Sequence, residues 1–297
     1  MNKIPVVQTI RYAYSFTFGH LGAIIGLIWI PMVLATALGF FVMNRYIDSF
    51  SAAIAQGNDA MAGQAGLLVI GYSIIGLLLY SMMYVAVTRQ ALGQRNSAAV
   101  AHFELGSPVW RMFGALLAVI FIIGLFYLVI FLVTLGGLAG VGGMGKTPAA
   151  DGVALGLGLF LIAALCALLF VAVRLVFLLP PVVVAESRMS VTRGWELTHG
   201  NFWRIVLIWL ATLVPPLLIL FVAELAIMGP DYFFSGLNPT ATLMEQADRM
   251  QEMSKHLPLL YGVSFMLSPF MTGLMLGSAA YAYRALVPAR GGNPIAV

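Results

Sequence analysis

Charge is what this chain has least of. Asp, Glu, Lys and Arg make up 9% of its 297 residues against 61% hydrophobic ones, and the mean hydropathy is +0.98. A soluble domain carries about a quarter charged residues, so water cannot solvate the whole of this surface. That excludes a soluble globule and makes lipid the solvent for much of the chain. Cysteine is reduced to Cys166 alone, which excludes an intramolecular disulfide, and a thiol in lipid or in a packed helix is inert. No stretch alternates apolar and polar residues as a membrane strand does, which speaks against a β-barrel. No basic run is long enough for a nucleic-acid-binding tail, so the net charge of +4 bears on topology and not on DNA or RNA.

Catalytic patterns are missing too. The chain has no nucleophile elbow, paired carboxylates, HExxH or dinucleotide fingerprint. This predicts a protein that is not an enzyme and uses no cofactor. Of the four histidines, His20, His102 and His199 sit close to helix junctions without metal-ligand spacing, so they read as interfacial and no metal is expected. Gly140 to Thr147 matches the phosphate-loop pattern GxxxxGK[ST]. That motif works only between a strand and a helix of an α/β domain. Here it follows an apolar run and precedes Pro148, so it reads as a glycine-rich linker.

What the chain does have is apolar length. A bilayer core of roughly 30 Å needs about 20 residues per helical span, and six runs qualify: Leu21–Met43, Leu67–Val87, Phe113–Leu135, Val153–Val173, Ile205–Met228 and Leu259–Leu286. Gly and Pro within them are common in spans. Eleven basic residues (Lys3, Arg11, Arg89, Arg95, Arg111, Arg174, Arg188, Arg193, Arg204, Arg284, Arg290) fall on one side of these runs. Arg45, Lys146, Arg249 and Lys255 fall on the other. The positive-inside rule then puts both termini in the cytoplasm. Ala35-Thr36-Ala37 resembles a signal-peptidase site, but the apolar run continues through Met43, so an uncleaved first span is expected.

A phrase recurs before each odd-numbered span. Tyr14 to His20, Phe103 to Arg111 and Trp195 to Arg204 align on their leading aromatics at intervals of 89 and 92 residues. An aliphatic residue precedes each aromatic by four, as Ile10, Ala99 and Val191 do, which stacks the pair on one helical face. The expected fold is all-α: a polytopic bundle of six spans in three repeated hairpins, each preceded by a cytoplasmic surface helix. The repeats run over about 5–88, 95–184 and 186–287 of one membrane domain, with a flexible tail at 288–297. The third surface helix turns into its span at Gly200-Asn201. Between spans five and six, the apolar stripe Leu243, Ala247, Met250, Met253, Leu257 with a Thr242/Glu245 capping box predicts an outer helix on the lipid or over the bundle.

Two sets of candidate site residues follow. Arg11, Tyr14, Phe103, Trp110, Arg111, Arg174, Arg193, Trp195, Trp203 and Arg204 have the interfacial aromatic-and-basic character that meets lipid headgroups. Arg174, late in an inward-running span, would snorkel to the inner interface. Glu224, within a span, with Ser264, Ser268 and Thr272 in the last one, forms the candidate polar lining of a transport path. Pro180-Pro181 and Pro215-Pro216 free backbone carbonyls and tend to border cavities. Gly22/Gly26, Gly152/Gly156 and Gly273/Gly277 have the spacing of close helix crossings.

Over Arg174–Arg204 the chain resembles the membrane domain of bacterial glycerophosphoryl diester phosphodiesterases and its stand-alone relatives. There an Arg-containing span end leads to a Pro-containing apolar stretch and a Glu, then to a helix of the type Ser-Trp-x-Leu-Thr-x-Gly-x-Phe-Trp-Arg. The matching positions are Arg174, Pro180, Glu186, Trp195, Leu197, Thr198, Gly200, Phe202, Trp203 and Arg204, with Gly194 in place of the Ser. The resemblance implies a helical bundle in a bacterial inner membrane. It brings no hydrolase activity, because the family's catalytic domain is a separate barrel. The reading is a non-catalytic inner-membrane protein for lipid-associated handling, membrane organisation or partnership with envelope proteins. A permease for small solutes or amphiphiles is the alternative. Membrane lipids are the expected partners, besides a membrane protein or a second copy of the chain.

Overall fold

In the computed structural model, residues 3–56, 59–94, 103–144, 148–230, 232 and 242–287 are described, and their elements are helices. The segment expected to form the second surface helix, with Arg95, Ala99 and His102, the Gly145–Thr147 end of the phosphate-loop match, Asp231 and the tail with Arg290 lie outside the described residues. The order is α1 (Val6–Gly19), α2 (Leu21–Gln56), α3 (Asp59–Ala91), α4 (Ser107–Met144), α5 (Pro148–Val176), α6 (Leu179–Ala185), α7 (Val191–Thr198), α8 (Phe202–Met228) and α9 (Leu243–Leu286). Six of these segments are long and apolar enough to cross a membrane, in α2, α3, α4, α5–α6, α8 and α9. This is the architecture of a multi-pass helical membrane protein.

Consecutive long helices pack as antiparallel neighbours: α2 with α3, α4 with α5, α8 with α9. Contacts between α3 and α4, α5 and α8, and α9 and α2 carry the packing onward, so the six follow one another around the bundle. α9 and the short α6 each touch five other elements, α9 reaching α1, α2, α3, α6 and α8. α4 and α5 hold each other and leave Phe121, Phe131, Leu155 and Ile162 exposed.

In lipid there is little hydrophobic drive between helices, so close backbone approach matters more. α1 buries Thr9, Ala13, Phe16 and Thr17 on one face. Opposite it, a Cβ on Gly273 would stand 2.9 Å from Thr17 Cγ2, and one on Gly277 would stand 2.9 Å from Phe16 Cδ1. This glycine pair is a helix crossing within the chain. Gly22, Gly152 and Gly156 have no neighbour at that distance.

The buried core gathers toward the end of the bundle where α2, α4 and α8 begin. α6 is wedged there, with Leu179 to Val184 all buried. Leu179 and Val183 join the cluster around Val85, Met112 and Val119, while Leu178 and Val182 join the one around Phe177, Ile205 and Ala282. Each pair is stacked by i, i+4 spacing, and the two pairs sit on adjoining faces of the short helix, about 100° apart. Pro180 and Pro181 fall in the first turn of α6, where a missing N–H costs nothing. They restart a helix after the break at Phe177–Leu178. Pro215 and Pro216 stay inside α8.

The outer stretch before span six is not a separate surface helix. α9 runs unbroken for 44 residues through Pro258 and Pro269. Its start has the expected capping box, Thr242 N–H to Glu245 Oε2 at 2.9 Å and Glu245 N–H to Thr242 Oγ1 at 3.2 Å. The stripe turns inward, since Ala247 and Leu257 are buried and α9 lies along α2. At 1.5 Å per residue the helix is about 66 Å long, twice a bilayer core.

Candidate functional site

The two candidate sets occupy different places. At the end where α6 sits, most of the basic residues are committed to the protein itself. Arg174, near the end of α5, is buried. Its Nη2 donates to the Trp195 carbonyl at 2.7 Å and its Nε to Thr198 Oγ1 at 3.2 Å, and its guanidinium lies 3.9 Å from the Trp195 ring centroid. It joins α5 to α7 and does not snorkel, because α7 folds back over it and supplies both acceptors and an aromatic face. Arg204 donates through Nη1 to the Ile4 carbonyl at 2.7 Å, while Asn201 Oδ1 accepts from Ile4 N–H at 3.0 Å. The chain before α1 is thereby clamped to the start of α8. Gly200 adopts φ +73 to make the turn from α7 into α8, a conformation cheap only for glycine.

Glu186, just after α6, is the hub of this end. It accepts from Arg188 Nε at 2.9 Å and Nη2 at 2.5 Å, from Arg193 Nε at 3.3 Å, and from the Tyr283 hydroxyl at 3.2 Å. Burial pushes its carboxyl up, but hydrogen bonds and charge from Arg188 and Arg193 outweigh that and hold it below its ordinary value. Arg193 also reaches Glu196 Oε2 at 3.4 Å. Arg111 donates to the Ser187 carbonyl and to Ser107 Oγ, and Tyr14 donates to the Ala211 carbonyl at 2.8 Å. Arg11, Phe103, Trp110 and Trp203 remain exposed, Trp203 at 75%.

The second place is a groove around α9. A void of about 410 Å³ lies between α2 and α9, edged by Val33, Ala37, Phe40 and Met266. It shares Thr36, Tyr261 and Phe265 with a smaller void of about 100 Å³ that reaches α3 at Tyr72 and Tyr80. That one shares Tyr80, Ser264 and Ser268 with a third, of about 280 Å³, between α3, α8 and α9. Through these shared residues the three voids adjoin one another as a passage along α9. Toward the α6 end it stops at Tyr84 and Met275, where buried Val87, Leu276 and Ala280 close the bundle.

Ser264, Ser268 and Thr272 therefore come together, one helical turn apart on α9 and facing Tyr80 and Tyr84 of α3. Glu224, half-buried on α8, lines none of the three voids. No Lys, Arg, His, Asp or Glu lines them either. Sequence reading missed Thr36, Tyr72, Tyr80, Tyr84 and Tyr261. Tyr80 carried a signal, as a tyrosine well inside a span where interfacial ones gather at the ends, whereas Tyr84 and Tyr261 stand close to the ends of their runs. Among the described residues, no cluster of His, Cys, Asp or Glu has the makings of a metal site. The chain matches no family model, no curated protein and no solved structure with which it was compared.

Proposed function

We propose that this chain is a non-catalytic multi-pass protein of the bacterial cytoplasmic membrane that takes up a lipid molecule from the bilayer into the groove around α9. One observation carries the reading: the passage is free of charged lining and its widest part is open between two membrane-spanning helices. Val33 and Met266, at its mouth, are exposed on apolar helix surface, which in a bilayer meets acyl chains and not water. The volume at the mouth, about 410 Å³, falls in the usual range of ligand pockets. The permease alternative draws less support, because Glu224 stands outside the passage and the α6 wedge fills the end through which a solute would leave.

The same reading makes the α6 end cytoplasmic, since eight of the described basic residues besides Lys3 (Arg11, Arg89, Arg111, Arg174, Arg188, Arg193, Arg204, Arg284) belong to it. Arg11, Trp110 and Trp203 would meet headgroups there. The succession of three antiparallel pairs around the bundle suits three copies of one hairpin, and the exposed face of α4 and α5 would meet lipid, another membrane protein or a second copy. Native mass spectrometry of the detergent-extracted protein tests the reading. The wild type should carry bound lipid, and Ala37→Trp, which fills the mouth, should carry much less. A wild type that arrives free of lipid under gentle extraction would end it.

A further inference from the structure

A Ser or Thr hydroxyl within an apolar helix has an easy partner in the backbone carbonyl three or four residues back. Ser51, Ser73, Ser81, Thr134, Thr212 and Ser278 each donate to it, at 2.6 to 2.8 Å. Thr88, off the groove, has a buried hydroxyl without a partner among the described residues. Thr36, Ser264, Ser268 and Thr272 also have no hydrogen-bond partner among the described residues, and all four line the groove. The tyrosines of the helix contacts divide in the same way. The hydroxyls of Tyr12, Tyr14, Tyr281 and Tyr283 reach protein acceptors. Those of Tyr72, Tyr80, Tyr84 and Tyr261, around the groove, reach none among the described residues.

An unsatisfied hydroxyl in the hydrocarbon region is costly. A set of them turned to one passage calls for an occupant that bonds to them. Water suits the small void beside Thr36, Tyr72, Ser264 and Ser268, but it leaves the apolar lining of the two larger voids without a partner. Here the hydroxyls alternate with Met32, Met83, Phe265, Leu267 and Met271. The occupant is thus amphiphilic. Its head is uncharged, since a phosphate or carboxylate would find no Lys, Arg or His in the lining and would be left without a counter-charge in a poor solvent for ions.

The spread of the hydroxyls sets the kind of head. Ser264 to Thr272 covers two turns of α9, about 12 Å along the axis, with Tyr80 and Tyr84 facing across. A head with several oxygens spaced along it satisfies such a row better than a single polar atom does. Ester carbonyls accept from hydroxyl donors, and a free alcohol can both give and accept. The larger void beside it, edged by Val33, Phe40 and Met266, offers an apolar channel for a chain. We propose that the groove binds an uncharged diacylglycerol-type glyceride, its ester and hydroxyl oxygens on Ser264, Ser268, Thr272, Tyr80 and Tyr84 and an acyl tail between α2 and α9. This rests on the lipid-uptake reading above.

The test uses the full-length protein in mixed micelles with dioleoylglycerol, phosphatidylglycerol or an isoprenoid quinone, with retained lipid read by native mass spectrometry. Wild type should retain dioleoylglycerol in preference to the other two. The triple variant Ser264→Ala/Ser268→Ala/Thr272→Val should lose about tenfold or more of that retention. Ser73→Ala, whose hydroxyl already bonds the Val69 carbonyl, should retain it as wild type does. Tyr80→Phe removes one hydroxyl without changing volume and should weaken retention even if the triple variant does not fold. Retention of phosphatidylglycerol or quinone but not dioleoylglycerol overturns the glyceride assignment alone, as does a folded triple variant with undiminished retention. Absence of every lipid overturns the lipid-uptake reading as well.

Discussion

The guanidinium of Arg174 lies 3.9 Å from the centre of the Trp195 indole while one of its nitrogens donates to the Trp195 carbonyl at 2.7 Å. One residue of α5 thus binds both the side chain and the backbone of one residue of α7. A cation over an indole face in a desolvated setting contributes about 2 kcal/mol, and the carbonyl would be orphaned without its donor. The pair fixes how α7 lies against the bundle.

Replacing Arg174 by Met should therefore lower stability in detergent by about 3 kcal/mol. Arg174→Lys should recover only a small part, because an ammonium lacks the planar fork that serves ring, carbonyl and hydroxyl together. Thermal unfolding midpoints of the two variants check this. A Lys variant as stable as wild type would show that charge alone suffices.

Glu186 gives the protein an acid-sensitive point. Its carboxyl titrates below the ordinary 4.5 in the folded state, so its ionised form stabilises the fold above that value, and the contribution fades as pH falls through the depressed one. The stability gap between wild type and Glu186→Gln should be constant from pH 7 to about 5 and narrow as pH falls below the ordinary 4.5. Unfolding midpoints measured over that interval test it; a gap that widens on acidification contradicts the sign.

The α1–α9 crossing depends on the absence of side chains at two positions. Gly277→Leu places a Cβ 2.9 Å from Phe16 Cδ1 and should cost about 1–3 kcal/mol by overpacking. Gly152→Leu, with open space at its Cβ, should leave the unfolding midpoint almost unchanged. Equal losses at both sites would mean that the close approach contributes nothing.

The clamp on Ile4 predicts a local change. With Asn201→Ala and Arg204→Ala combined, both backbone partners of Ile4 are lost, and the chain before α1 should exchange its amide protons much faster while α8 keeps its protection. Hydrogen exchange read by mass spectrometry reports the two segments separately.

Orientation is open to a direct check. In a Cys166→Ala background, single cysteines at Lys3 and Lys255 should react with a membrane-impermeant maleimide from opposite sides of the membrane, Lys3 from the cytoplasm. Labelling of both from one side would refute the inside-positive assignment.

The apolar segments were readable from the chain because each is a local property: about 20 residues of uniform hydropathy need no knowledge of neighbours. The Gly200-Asn201 turn and the Thr242/Glu245 box were readable for the same reason, since both are decided within a few residues. The stripe from Leu243 to Leu257 was read with the right period, its neighbour left open between lipid and bundle, and as a helix separate from span six, which it is not. Periodicity says which face is apolar; only the course of α2 beside it determines that the face meets protein. The headgroup set was mixed in the same way. Arg11, Trp110 and Trp203 stay exposed, whereas Arg174 and Arg204 find acceptors on segments 24 and 200 residues away.

Composition and hydropathy by themselves determined that this chain is built from apolar helices, because the free energy of placing a residue in lipid is set by that residue and its near neighbours in sequence. Which arginines face outward, and that Ser264, Ser268, Thr272, Tyr80 and Tyr84 share one passage, was decided only by the tertiary structure. A gap between helices belongs to no single segment: it exists where α2, α3, α8 and α9 fail to fill the space they enclose, and close packing elsewhere in the bundle leaves it there.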